Sequence, residues 1–248
     1  MRRRVVVTGL GCVTPLGAEL EQVWERLVEG RTGIGPITLF DASSYPVRIA
    51  AEVRDWDVSE LEGDLKNWEN EARQTGFAVA AAKRAMGIAG LENGQIDPLR
   101  FGVYLGCGET YPDFARFGQV LAAAVGNGQF QPRDFVREAQ GNGNPAWEVP
   151  WEPNLPASYL AGMFNAQGPN ANYTAACVSS TQAVGEATDA IRRGEVDAML
   201  AGGAHSMIHP FGLTGFIRLS VLSSRNDPTA MRPFDRDRDG FVVGEGAA

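Results

Sequence analysis

The chain has 248 residues, 44% hydrophobic, 21% charged and 9% aromatic, with 30 Gly, 14 Pro, 3 Cys and 2 His. Those proportions fit a soluble α/β protein with one or two cores and exclude disorder, collagen and a disulfide-stapled miniprotein. The net charge of -8 argues against a nucleic-acid wrapper, and no stretch reaches the roughly 18 to 20 apolar residues of a membrane span.

Val5 to Thr8 is a β-branched run ending in Gly9-Leu10-Gly11, which predicts a buried first strand entering a tight turn. Leu20, Val23, Trp24 and Leu27 fall at helical spacing, so 19–29 is expected as a helix stopped by Gly30. A second helix is expected over 68–86, with Phe77, Ala80, Ala81 and Ala85 as its apolar stripe. Phe101 to Leu105 reads as a strand closed by Gly106-Cys107-Gly108. From 111 to 169, Gly141-Asn142-Gly143-Asn144-Pro145 and the prolines at 150, 153 and 156 predict an irregular excursion that covers a site or a partner. Then Asn172 to Ala176 reads as a strand, Cys177 follows, and Ala183, Val184, Ala187, Ala190 and Ile191 mark one face of a helix ending at Gly194. Ala198 to Ala201 is the next strand, with Gly202-Gly203 as its expected turn. Strand, cysteine, helix, strand is a βαβ unit with a thiol at the strand-to-helix corner.

Three motifs carry possible chemistry and fail on their neighbours. Gly9-Leu10-Gly11 suggests a dinucleotide site, but Thr14 stands where the third glycine belongs. Asp235, Asp237, Asp239 and Gly240 copy the first half of a calcium loop, whose twelfth position needs a bidentate glutamate and here holds Gly246. His205 and His209 are spaced as zinc ligands on a helix, yet Pro210 follows at once and no glutamate stands beside His205. No metal and no cofactor are expected. Cys12, Cys107 and Cys177 have no paired spacing, which suits a reducing, cytoplasmic compartment. Cys177 differs from the other two because a thiol at a helix N-terminus faces backbone N–H groups and the positive end of the dipole, which stabilise a thiolate. The same groups can form part of an oxyanion hole.

Around Cys177 the segment Asn172-Tyr173-Thr174-Ala175-Ala176-Cys177-Val178-Ser179-Ser180 resembles the nucleophile segment of β-ketoacyl-acyl-carrier-protein synthases, closest to the type II elongating enzymes. Val6 to Gly11 with Thr14 to Gly17, Ala201-Gly202-Gly203, Leu222 to Asp227, and Arg232-Pro233-Phe234-Asp235 through Gly244-Glu245-Gly246-Ala247 agree in colinear order. The resemblance implies a thiolase-like layered α/β fold, of which 1–248 is the N-terminal half, with a mixed sheet, covering helices and the irregular excursion. It also implies a homodimer and a ping-pong reaction: an acyl group passes from acyl carrier protein to Cys177, then malonyl carrier protein loses CO2 and attacks the acyl thioester. Glu109 and Phe216 resemble positions near the acyl channel.

The family's two catalytic histidines lie in its second half, and His205 and His209 do not match their motifs. Decarboxylation by the 248-residue chain alone is therefore not expected, and half a fold is expected to expose apolar surface and aggregate. The basic surface offered to carrier protein also departs from the family: Glu62, Asp64, Glu69 and Glu71 oppose Lys66 and Arg73, leaving Arg116, Arg133 and Arg218 as candidates. The second reading is a non-catalytic partner subunit resembling chain-length factors. Retention of Cys177 speaks against it, because such partners usually lack the nucleophile.

Overall fold

The computed structural model describes residues 3–54, 71–91, 94–108, 113–126, 128–143 and 149–248. Its centre is a four-stranded sheet of β3 (Phe101–Cys107), β6 (Asn170–Tyr173), β7 (Ala198–Ser206) and β8 (Glu245–Ala247). The two short strands before β3 are β1 (Ile34–Pro36) and β2 (Ile49–Ala51), paired antiparallel. In the main sheet the order is β6-β3-β7-β8; β6 and β7 run parallel to β3, and β8 is antiparallel to β7.

The two faces of β3 explain the layers. Phe101, Val103, Leu105 and Cys107 alternate onto one face and join a core with Phe77, Val79 and Met86 of helix α2 (Arg73–Ala89) and Leu160 from the segment before β6. On the other face Gly106 leaves room for a helix, as expected of a parallel strand buried on both sides. That helix runs Ser179–Arg193, offers Ala183, Ala187 and Ala190 to the sheet, and ends at Gly194 with φ +77°. Helix α2 is the central support, buried from Gln74 through Ala82 and again at Met86. A smaller core, including Val47, Ile49, Ile208, Leu213, Leu222 and Val243, joins β2 to the C-terminal segments.

Three expectations need correction, and a fourth holds with little burial. Val5 to Thr8 makes no strand, and Val6 and Val7 are exposed; the first pairing is the bridge from Val13 to Ala247. β-propensity was present there, but no strand among the described residues pairs with it. Gly202-Gly203 is not a turn: both lie within β7, opposite Leu105 and Gly106. Helix α1 (Leu20–Val28) forms where expected but buries none of its residues, and Trp24 and Leu27 face outward. Finally, the described part of 111–169 is built rather than irregular. It contains α3 (Phe114–Ala123), a two-stranded ribbon of β4 (Val125–Gly126) and β5 (Gln129–Phe130), α4 (Pro132–Asn142) and α5 (Leu155–Met163). Two of its prolines open helices instead of breaking them: Pro132 and Pro156 occupy first-turn positions, where the missing N–H is no loss. Phe117 then holds α3 edge-on against Phe135 of α4 and Phe211.

Candidate active site

The helix Ser179–Arg193 is α6, and the chain reaches it from β6 through Thr174, Ala175 and a single 3₁₀ turn, Ala176–Val178. Cys177 sits in that turn and is exposed. Ala176 has φ +51°, left-handed backbone that a non-glycine residue adopts at a disadvantage of about 1 kcal/mol. The corner is therefore a sharp elbow that lifts residue 177 off the strand line.

Side chains on both sides tie the elbow down. The Cys107 N–H donates to Asn172 Oδ1 at 3.0 Å, and Thr174 Oγ1 donates to the Cys107 carbonyl at 2.9 Å. Asn172 Nδ2 donates to Thr174 Oγ1 at 3.1 Å. The end of β6 is thus laced to the end of β3 beyond their regular ladder. On the helix side, Ser179 Oγ accepts from Ala175 N–H at 2.8 Å and donates to the Ala176 carbonyl at 2.7 Å. Below, α6 rests on bare backbone. A Cβ at Gly106 would lie 2.4 Å from the Ser179 carbonyl carbon, and one at Gly203 2.6 Å from Ser180 Cβ.

One part of the expected thiol environment differs. The N–H of Val178 already donates to the Ala175 carbonyl at 3.3 Å and that of Ser179 to Ala176, because a 3₁₀ turn precedes the helix. Those two donors are engaged in the turn and are not aimed at the sulfur. The other cysteines stand apart. Cys107 is fully buried, and loss of solvent pushes its thiol up to about 12, against a smaller lowering by a hydrogen bond from Ala204. Burial also raises Cys12.

The remaining candidates fall in different places. Glu109 lies outside the described residues, as do Glu62, Asp64, Lys66 and Glu69. Phe216 is on α7 (Pro210–Arg218), its ring edge-on to Phe241 at 5.4 Å between centroids and packed on the smaller core. Arg116, Arg133 and Arg218 fall on α3, α4 and α7. Arg73 turns inward to Glu245. His205 belongs to β7, whereas His209 caps α7, its Nδ1 accepting from Phe211 N–H at 3.2 Å, so the pair shares no helix face. Burial lowers His209, which the Asp113 charge partly opposes. The calcium-like loop spends Asp239 on Ser223 Oγ and on the Ser224 N–H. Gly9 and Gly11 face the carbonyls of Ala85 and Ala81, within a packed contact on α2 rather than a phosphate cradle. A cleft of about 330 Å³ opens between Phe40, Arg48, Ile49 and Asn226, and Cys177 is not in its lining.

Glu245, named above only as part of a motif, has a structural role that sequence reading did not assign. Its side chain is fully buried and accepts from Val53 N–H at 2.9 Å, from Ser206 Oγ at 2.6 Å and from the Arg73 guanidinium at 3.0 Å. It joins β8, β7, α2 and the segment after β2.

A central sheet covered by helices on both faces, with an exposed thiol on a strand-to-helix elbow, defines a layered α/β protein of the thiolase-like kind. The chain belongs to the β-ketoacyl-acyl-carrier-protein synthase family: the profile "Beta-ketoacyl synthase, N-terminal domain" matches residues 2–248. It is 37% identical over 249 residues to 3-oxoacyl-[acyl-carrier-protein] synthase 2 of Coxiella burnetii, covering 100% of this chain and 57% of that protein. The fold matches a β-ketoacyl synthase from Burkholderia phymatum with a TM-score of 0.82 and 29% identity, covering 100% of this chain and 58% of the other. It also matches, with a TM-score of 0.78 and 28% identity over 100% of this chain and 57% of that one, a structure of a type II polyketide synthase acyl-carrier protein in complex with its ketosynthase. The chain thus spans little more than half the length of the relatives it matches. No helix among the described residues is long and apolar enough to cross a membrane.

Proposed function

We propose that Cys177 is the acyl acceptor of a decarboxylative condensing enzyme of fatty acid or related polyketide synthesis. The observation that carries this reading is the exposed thiol on a strained elbow, in a chain of this family. In the first half-reaction the Cys177 thiolate attacks the acyl carbonyl of a carrier-protein thioester, and the carrier thiol leaves with a proton. In the second, malonyl carrier protein releases CO2, its carbanion attacks the Cys177 thioester, and the β-ketoacyl product leaves on the carrier. Acyl carrier protein is the proposed partner, supported by the matching structure of a ketosynthase held by its carrier protein. A homodimer is proposed as the assembly. Glu109 and Phe216 are proposed neighbours of the acyl chain.

The test is the first half-reaction. Incubation with a radiolabelled acyl-carrier thioester is expected to transfer label to Cys177, mapped by peptide mass spectrometry, and Cys177→Ala is expected to take none. Label that persists in Cys177→Ala refutes the assignment.

A further inference from the structure

The elbow poses a mechanical problem. Ala176 at φ +51° sits in a region from which a residue bearing Cβ relaxes unless its neighbours hold it. The turn also leaves two polar groups that its own hydrogen bonds do not pair, the N–H of Ala175 and a second lone pair on the Ala176 carbonyl. One hydroxyl meets both. Ser179 Oγ accepts the Ala175 N–H at 2.8 Å and donates to the Ala176 carbonyl at 2.7 Å, so it bonds the residue before the strained position and the strained residue itself. Ser179 is 6% exposed, and its backbone is pressed against Gly106, so the hydroxyl has a fixed base from which to act. This is not an ordinary helix cap: the bonds run backwards, outside the helix, and one of them is made to the carbonyl of the peptide that carries Cys177.

We propose that Ser179 is a positioning residue, a hydroxyl clamp that holds Ala176 in its left-handed conformation and thereby fixes where the Cys177 sulfur points. The proposal rests on Cys177 as the reactive thiol and deepens that reading. It predicts that the hydroxyl matters through the backbone of residue 176, and so that a glycine there makes it dispensable, because glycine holds φ > 0 without strain.

The experiment is site-mapped alkylation of Cys177 by iodoacetamide across pH, in which the thiolate displaces iodide and no carrier protein is needed. Ser179→Thr keeps the hydroxyl, and Ser179→Val has the same outline without it. The Thr variant is expected to react like the parent; the Val variant is expected to react more slowly, because an elbow that relaxes withdraws the exposed sulfur from the reagent. Adding Ala176→Gly to Ser179→Val is expected to restore most of the rate. Equal rates for the Thr and Val variants, or no restoration by Ala176→Gly, overturn the proposal. If Ser179→Val does not fold where Ser179→Thr does, recovery of folding and reactivity in the Ala176→Gly double variant supports the clamp, and its absence overturns it. Failure of the parent to accept an acyl group from a thioester would sink the acyltransferase reading while leaving this comparison intact.

Discussion

Substituting Gly106 by alanine tests whether the sheet sets the height of the nucleophile helix. The new Cβ would stand 2.4 Å from the Ser179 carbonyl carbon and 2.4 Å from the Ser180 nitrogen, both backbone atoms that cannot rotate away. Carbon contacts settle at about 3.5 to 4.0 Å, so the first turn of α6 must retreat by about 1 Å or more. Overpacking of that kind costs about 1 to 3 kcal/mol, set against a gain of about 0.5 to 1 kcal/mol from replacing glycine in a strand. A net destabilisation of about 1 to 2 kcal/mol is expected, read as a lower urea midpoint at unchanged slope. Because the retreating turn carries the elbow, the rate at which the exposed Cys177 is alkylated is expected to change in the same variant. Gly185→Ala is the control: it lies in α6 with nothing within 4 Å of the added carbon, and it is expected to stabilise by about 0.5 to 1 kcal/mol through helix propensity. A Gly106→Ala protein with the parent's midpoint and the parent's Cys177 reactivity would refute the idea that glycine backbone holds the helix in place.

Other expectations address charge and thiol chemistry. In the folded chain at pH 8 iodoacetamide is expected to label Cys177 alone, because a thiol at about 12 leaves Cys107 ionised in roughly one molecule in ten thousand; intact-mass analysis should show one adduct when folded and three in denaturant. Glu245→Ala abandons the Arg73 guanidinium beside a buried site, and a loss of about 3 kcal/mol is expected, the low end for a broken buried pair because Arg73 keeps some solvent. A change in urea stability below about 1 kcal/mol would show that the pair is not the tie described. Burial raises the Glu71 carboxyl above its ordinary 4.5, partly offset by the Tyr159 hydroxyl that donates to it at 2.7 Å. The folded state therefore holds that proton more tightly than the unfolded chain, and the resulting stability is complete below pH 4.5 and lost as pH rises through the raised value. Glu71→Gln removes the loss, so its stability relative to the parent is expected to improve as pH rises above 4.5; a difference that stays flat as pH rises would contradict the upward shift.

What the sequence disclosed follows from where its information is local. The β3 and α6 elements were legible because alternation in Phe101 to Leu105 and helical spacing from Ala183 to Ile191 record burial on one side of each element. Cys177 was legible for the same reason, being the residue between two readable elements. Val5 to Thr8 misled because β-branched composition states a preference and cannot supply a neighbour. Gly202-Gly203 misled because paired glycines signal a turn when read alone. In the fold they instead admit Ser180 and the Ala248 carbonyl, a contact no local pattern announces. Glu245 was hidden by distance, its guanidinium partner standing 172 positions earlier. The positive φ at Ala176 had no signal at all, since alanine is a poor marker of left-handed backbone.

The sealed state of Cys12 and Cys107 has a consequence for oxidation. If peroxide converts the sulfur at position 177 to a sulfenic acid, neither Cys12 nor Cys107 is exposed to meet it and form a disulfide within these 248 residues. With those two sulfurs closed off, reduction falls to a thiol from outside these 248 residues, and without one the oxidation proceeds to the irreversible acids.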